Sequence, residues 1–405
     1  MSESLAVSDV NDRFQPLIRA SVEAILRNQL DDGAIIASRD FAQYHYCWLR
    51  DGSFIAHALD AAGEVDAASR YHDWVNRTVR AIAGPIDDAT RRARRGEAID
   101  VSLMPPARFS LDNVHAHDDW PNFQIDGYGT WLWAFGRHLA SRGETKVPHD
   151  FLDSVQRVAD YVSALALSPC YDVWEERGTQ IHTSTLACVF GGLSEAARLL
   201  VRSDLAERAR EVRSYVLARA VHQGRFIKSS GESDVDASTL WLAVPFEVVA
   251  ADDPLMVATA DEVKRVLTLE GGIRRYPNDV YFGSGAWPIL TASLGLHRVA
   301  VGNARGAMTL AEWIIDRFDQ GRLGEQFFGQ IHDPVHFAQW VDLWGEPAQD
   351  LTWSHAMFVW LALALTANGA VSGAIETVDI ATREIRGEGS PLVAENDPGR
   401  FGGSV

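Results

Sequence analysis

Glu175 in VWEERG and Glu325 in GEQFF lie far apart in the chain, each beside aromatic and hydrogen-bonding residues. A pair of carboxyl groups can cleave a glycosidic bond: one acid protonates the leaving oxygen while a carboxylate acts from the other side. Contact with Trp174 would desolvate Glu175 and raise its pKa, keeping a proton available near neutral pH, so Glu175 is the candidate acid. Glu325 is the candidate partner from a distant connection. Either glutamate alone reads as a solvated or ion-paired surface group. The indoles argue for more. Of 13 tryptophans, Trp48, Trp120, Trp174, Trp287, Trp344 and Trp353 stand in connections beside Arg, Asp, Glu and Gln. Flat apolar rings next to carboxylates and guanidiniums can hold the faces and hydroxyls of a sugar.

Such groups need elements that bring distant connections together. Apolar residues recur at three-to-four spacing over 13–29, 53–62, 64–83, 128–142, 150–167 and 182–200. The same pattern continues over 203–223, 236–250, 259–270, 285–300, 303–319 and 351–367. AAGE, SRGE, TANG and VGNARG suit helix stops and caps. About twelve helices in hairpin pairs are expected, with few strands. No repeat of fixed period marks an open solenoid. Polar-aromatic clusters precede the even-numbered helices: YHYCWLRDG, WPNFQIDGYG, VWEERGTQIH, SGESDVDAS, RRYPNDVYFGSGAW, and GEQFF with its long sequel. In a closed double barrel these connections emerge at one end and meet around one mouth. The expected fold is therefore all-α, an (α/α)6 barrel of six helical hairpins with the even-numbered helices inside. It would occupy residues 1–370, with the polar, Gly- and Pro-rich 371–405 as an extension on its surface or partly disordered.

The 405 residues suffice for one large core or two smaller ones, and 47% hydrophobic with 23% charged residues suits a soluble globular protein. Thirty-seven basic and 55 acidic residues leave a net charge of −18, which repels phosphate backbones and excludes nucleic acid as a partner. No apolar run reaches transmembrane length, and MSESLAVSDVNDRF lacks the features of a signal peptide. Cys47, Cys170 and Cys188 are odd in number and far apart, which points to a reducing compartment, the cytoplasm. HAHDDW has no matching ligand cluster for a metal, and ESDVD lacks the closing glutamate of a calcium loop. No metal and no cofactor are expected, and the expected partner is a small oligosaccharide.

In order along the chain, YHYCWLRDG, NFQIDGYG, VWEERG, RRYPNDVYFGSGAW, GEQ and LTWSHA resemble the catalytic domain of the glucoamylase family, glycoside hydrolase family 15. The resemblance covers roughly residues 15–367. It implies the same barrel, exo hydrolysis of α-glucosidic bonds from the non-reducing end, and release of β-glucose with inversion. The family's WE motif makes Glu175 the general acid, with Glu176 shaping the subsite and Arg177 orienting both. Its EQ motif makes Glu325 the general base. Arg50 and Asp51 match the pair that grips the far edge of the first glucose and blinds the pocket. Trp48 and Tyr44 would line it beside Trp120 and Trp174, with Tyr44 near the attacking water. Gln124 and Asp126 match a polar pair on the next connection, and Arg275 and Trp287 match contacts towards the leaving sugar. Inversion would set the two catalytic carboxyl groups roughly 6.5–9.5 Å apart, leaving room for a water.

Two departures stand out. The long stretch between Glu325 and LTWSHA holds Trp340, Trp344 and Glu346, which makes Glu346 the rival base. Phe282 stands where the family commonly has a hydroxylated ring, which would deprive Tyr44 of a hydrogen-bonding partner and let its phenol influence the pH profile. Compact relatives include enzymes acting on isomaltose, so the resemblance places α-1,6 linkages ahead of α-1,4 or trehalase-type specificity. A non-catalytic sugar-binding barrel and a helical interaction solenoid are the readings from other classes.

Overall fold

The computed structural model describes residues 7–111, 120–329 and 331–370. The expected extension at 371–405 and most of HAHDDW fall outside those residues. The helices are α1 (Val7–Asn28), α2 (Leu49–Ala61), α3 (Val65–Ala81), α4 (Ala83–Arg94), α5 (Asp126–Ser141), α6 (Leu152–Leu165) and α7 (Thr183–Leu200). They continue with α8 (Ser203–Arg219), α9 (Pro254–Leu267), α10 (Pro288–Ala300), α11 (Ala304–Ile315), α12 (Pro334–Trp344) and α13 (Thr352–Ala370). A 3-10 turn, Ala237–Leu242, takes the remaining place in the wall.

An inner ring closes on itself. α2 packs on α5, α5 on α7, α7 on the 3-10 turn, that turn on α10, α10 on α13, and α13 back on α2. These segments are buried on nearly every side; α2, for example, buries Leu49 through Ala56 without interruption, the polar Arg50, Asp51 and Ser53 included. A helix of that kind has to be surrounded by protein. The outer helices carry one apolar stripe each. On α8 it is Leu205, Ala209, Val212 and Val216, at helical spacing. The (α/α)6 barrel expected from periodicity is thus the fold, with the even-numbered partner of each hairpin inside.

Two expectations need correction. The helix expected over 236–250 is only the 3-10 turn, because Pro245 lacks an N–H and disfavours helical geometry in the residue before it. The turn starts at Asp236, whose side chain caps Ser238 N at 2.8 Å. The apolar run there reflects burial on all sides, which periodicity cannot distinguish from a helix. α4 and α12 were not foreseen. α4 is polar overall and carries only a short stripe of Ile86, Ala89 and Thr90, while α12 is started by Asp333, which caps His336 N at 3.1 Å and precedes Pro334 at the first helical position.

Two glycines set how closely the inner helices approach. A Cβ on Gly192 of α7 would lie 2.4 Å from the carbonyl oxygen of Gly129 on α5, and one on Gly129 would lie 2.6 Å from that of Cys188. Backbone sits against backbone there, so no side chain can yield. Gly192→Ala is expected to destabilise the fold by about 1–3 kcal/mol through overpacking, read as a lower urea midpoint; a change below about 0.5 kcal/mol would show a looser crossing than the distances indicate.

Candidate active site

The connections ahead of the inner segments meet at one end of the barrel, where a cavity of about 470 Å³ opens. That lies within the roughly 300–1,000 Å³ usual for small-molecule sites. Tyr44, Trp48, Arg50 and Asp51 reach it from the start of α2, Trp120 from before α5, and Trp174, Glu175 and Glu176 from before α7. Arg275, Tyr281 and Trp287 come from before α10, and Glu325 from the connection to α13.

The floor is built on Arg50. Its guanidinium donates to Asp126 Oδ2 at 3.0 Å and to Gln124 Oε1 at 3.2 Å, and lies 3.7 Å from Glu175 Oε1. Its Nε is 3.3 Å from Asp51 Oδ1, and the charge sits over the Trp353 ring at 5.8 Å. Burial raises the Asp51 carboxyl to about 6, with Arg50 opposing that rise and the Glu175 charge adding to it. Gln124 and Asp126 do not line the cavity; they hold the arginine that does.

Glu175 Oε1 accepts hydrogen bonds from Trp48 Nε1 at 2.7 Å and from Gln124 Nε2 at 3.2 Å. The indole that meets this carboxylate is therefore Trp48. Trp174, expected to desolvate it, sends its Nε1 to Asp236 Oδ2 at 2.8 Å and tilts its ring against Trp287 at 5.8 Å. Glu176 accepts from Tyr276 Oη at 2.5 Å and from Arg275 at 3.3 Å. Arg177 is not among the cavity's lining residues and pairs instead with Glu232, so the expectation that it orients the two glutamates is corrected.

Glu325 is wholly buried from solvent. Desolvation pushes its carboxyl up to about 7, against two hydrogen bonds that favour the anion. Those come from Tyr44 Oη at 2.5 Å to Oε1 and from Gln326 Nε2 at 3.2 Å to Oε2. Glu346 is exposed and outside the cavity lining, so the long stretch does not displace Glu325. The expectation that Tyr44 lacks a partner is also corrected. The Tyr281 hydroxyl lies 2.9 Å from that of Tyr44. Since the Tyr44 proton goes to Glu325, Tyr281 donates. Phe282 points the other way, with φ of 46°, and is buried against Phe41 and Trp340.

Tyr281 and Arg108 were missed in the sequence, where Trp340 and Trp344 stand out only as parts of the long stretch after Glu325 and of the set of indoles. Tyr281 stood next to the position singled out. Trp340 and Trp344, four apart and hence on one face of α12, pack ring to ring at 4.6 Å over the mouth. Arg108 wedges its guanidinium between the rings of Trp120 and Tyr46, at 3.5 and 3.9 Å. It comes from β2 (Arg108–Ser110), paired with β1 (Tyr46–Trp48), a match that leaves no signature in sequence. Among the described residues one cluster has metal-ligand chemistry, Asp60, His72 and His138. It is no part of the cavity lining, and His138 already bonds Asp60 and Ser69.

A family model, glycosyl hydrolases family 15, matches residues 18–322. The chain belongs to that family. As a family 15 glycoside hydrolase it is 37% identical to an isomaltose glucohydrolase of Kribbella flavida, over 86% of this chain and 92% of the relative. Its fold superposes on a solved wild-type glycosidase with a TM-score of 0.85 at 37% identity, covering 89% of this chain and 99% of the other. A bacterial glucoamylase complexed with acarbose shares the fold, with a TM-score of 0.68 at 21% identity over 89% of this chain and 56% of that one.

Removing the floor's charge should reach beyond the cavity. Arg50→Met leaves Asp126, wholly buried, without its cation, and is expected to cost about 3–5 kcal/mol of folding stability. Urea unfolding checks this, and a loss under about 1 kcal/mol would mean the carboxylates find other partners.

Proposed function

We propose that the protein is an inverting, exo-acting α-glucoside hydrolase that releases β-glucose from short α-glucans, with α-1,6 linkages of the isomaltose type favoured. The observation that carries this reading is the contrast between two glutamates on one cavity. Glu175 is partly exposed, in reach of a leaving group, whereas Glu325 is sealed from solvent beneath two hydroxyls and an amide. Glu175 is the acid that protonates the leaving oxygen, and Glu325 the base that takes a proton from an attacking water. Tyr44 holds the base, while Tyr281 fixes the direction of the Tyr44 hydroxyl. Arg50 and Asp51 receive the terminal glucose, which makes the pocket blind and the action exo. Trp48, Trp120, Trp174 and Trp287 offer ring faces, and Arg275 with Glu176 faces the departing sugar.

The linkage preference is supported by the Kribbella flavida relative and by α12, whose tryptophans narrow the approach to the cavity. The three cysteines are unpaired and buried, which supports a reducing compartment, the cytoplasm.

Incubation with isomaltose, maltose and trehalose, following glucose anomers by NMR, tests the reading. Release should be fastest from isomaltose, with an initial excess of β-glucose over the equilibrium mixture that the freed reducing-end sugar supplies; an initial excess of the α-anomer from isomaltose, or a faster release from maltose or trehalose, would overturn it. Glu175→Gln and Glu325→Gln should each lower kcat by about 10²–10⁴-fold, and wild-type rates in both would discard the assignment. The pH profile supplies a further check. The base works only when ionised, so kcat/KM should fall as pH drops through about 7. The Tyr44 hydrogen bond favours the anion, so Tyr44→Phe should move that acidic limb to higher pH; a shift to lower pH would contradict the geometry.

A further inference from the structure

The turn that carries Glu175 is tight and strained. Glu175 and Arg177 both take left-handed backbone angles, with φ of 66° and 52°, which side chains with a Cβ rarely adopt. Something must hold them there. Asp172 Oδ1 accepts from the backbone N–H of Trp174 at 3.0 Å and of Glu176 at 2.9 Å, one on each side of Glu175. Asp236 Oδ2 accepts from the indole of Trp174 at 2.8 Å. Both aspartates are buried, and two anions so close need a counter-charge.

That charge is Lys228. It is 3% exposed, and its Nζ lies 3.2 Å from Asp172 Oδ2 and 3.1 Å from Asp236 Oδ2. Glu176 Oε2 is 4.0 Å away, and the Tyr276 ring closes the remaining side at 3.4 Å. His182 stands beyond, 3.9 Å from Asp172 Oδ2. The backbone of Lys228 is equally fixed: its N–H donates to Asp234 O at 2.8 Å, and its carbonyl accepts from Thr183 N, at the first residue of α7, at 3.0 Å. The ammonium is not among the cavity's lining groups.

We propose that Lys228 is a positioning residue for acid catalysis: lodged between Asp172 and Asp236, it locks the Trp174–Glu176 turn in the form that presents Glu175 to the leaving oxygen. The proposal rests on the reading of Glu175 as the acid. Without the ammonium, the aspartates repel each other and release the two N–H groups and the indole. Glu175 then loses its aim while Arg50, Asp51 and Glu325, on other connections, keep theirs.

The test compares two leaving groups. The glucose leaving from isomaltose needs a proton; fluoride leaving from α-glucosyl fluoride does not. Lys228→Met should lower kcat on isomaltose by about 10–100-fold with little change in KM, yet keep α-glucosyl fluoride hydrolysis within a few-fold of wild type. Lys228→Met/Asp236→Asn, which removes one of the two opposed charges but keeps an acceptor for Trp174, should recover part of the isomaltose rate. Equal losses on both substrates, or none on isomaltose, would overturn the proposal. Lys228→Gln, which retains donors toward both aspartates, decides the matter in the same assay should the methionine variant not fold; failure of both to fold would assign the lysine a purely structural role and also overturn it. Wild type and Glu175→Gln run alongside separate the two readings. If Glu175→Gln shows the leaving-group split and Lys228→Met does not, only the lysine's role falls. No glucose release from isomaltose by the wild type would remove the functional reading itself.

Discussion

The buried guanidinium of Arg50 is the constraint on which the rest of the site depends. Taking such a charge out of water is expensive, and it is tolerated only where carboxylates and hydrogen-bond acceptors surround it. Here those acceptors come from separate stretches of chain: Asp51 beside it on α2, Gln124 and Asp126 at the start of α5, and Glu175 ahead of α7. Trp353 at the start of α13 supplies a ring face. Four of the six inner segments are thereby tied together at their mouth ends by one side chain. Apolar packing closes the wall, and the arginine is where the acidic groups of separate connections converge.

The two sides of the cavity use different physics. Around Glu325, burial and hydroxyl groups dominate, and the carboxyl is pushed towards neutrality. Around the Glu175 turn, formal charges dominate, with Arg50, Lys228 and Arg275 set among Asp126, Asp172, Asp236, Glu176 and Asp279. Two identical side chains on one cavity are thus set in different surroundings, a desolvated pocket on one side and a network of formal charges on the other.

Much of this was legible in the chain because it is written in local patterns. Three-to-four spacing marks the helices, and the polar-aromatic clusters ahead of every second one distinguish inner from outer without coordinates, as YHYCWLRDG does for α2. Glu175, Glu325, Arg50 and Asp51 stand in short polar-aromatic clusters that precede inner segments. What escaped depends on rotation and on distance. Whether Tyr281 or Phe282 faces the cavity follows from a left-handed φ at Phe282, and no composition reveals that. The partner of Trp174 is Asp236, 62 residues away, and Lys228 acquires meaning only when its two aspartates meet across α7. The failed helix over 236–250 shows the same limit from the other side: total burial imitates periodicity until a proline interrupts it.

α12 sits apart from these constraints. None of its residues is buried, and it is held by its own Asp333 cap, a Trp340 hydrogen bond to Val280 at 3.1 Å, and ring contacts of Phe337, Trp340 and Trp344 with Phe41, Tyr281, Phe282 and Phe328. The closed ring takes no support from it. A segment fastened by rings at the mouth rather than by the wall can change over evolutionary time at smaller thermodynamic cost than an inner helix, which leaves the aperture of the enzyme freer to diverge than the charged floor beneath it.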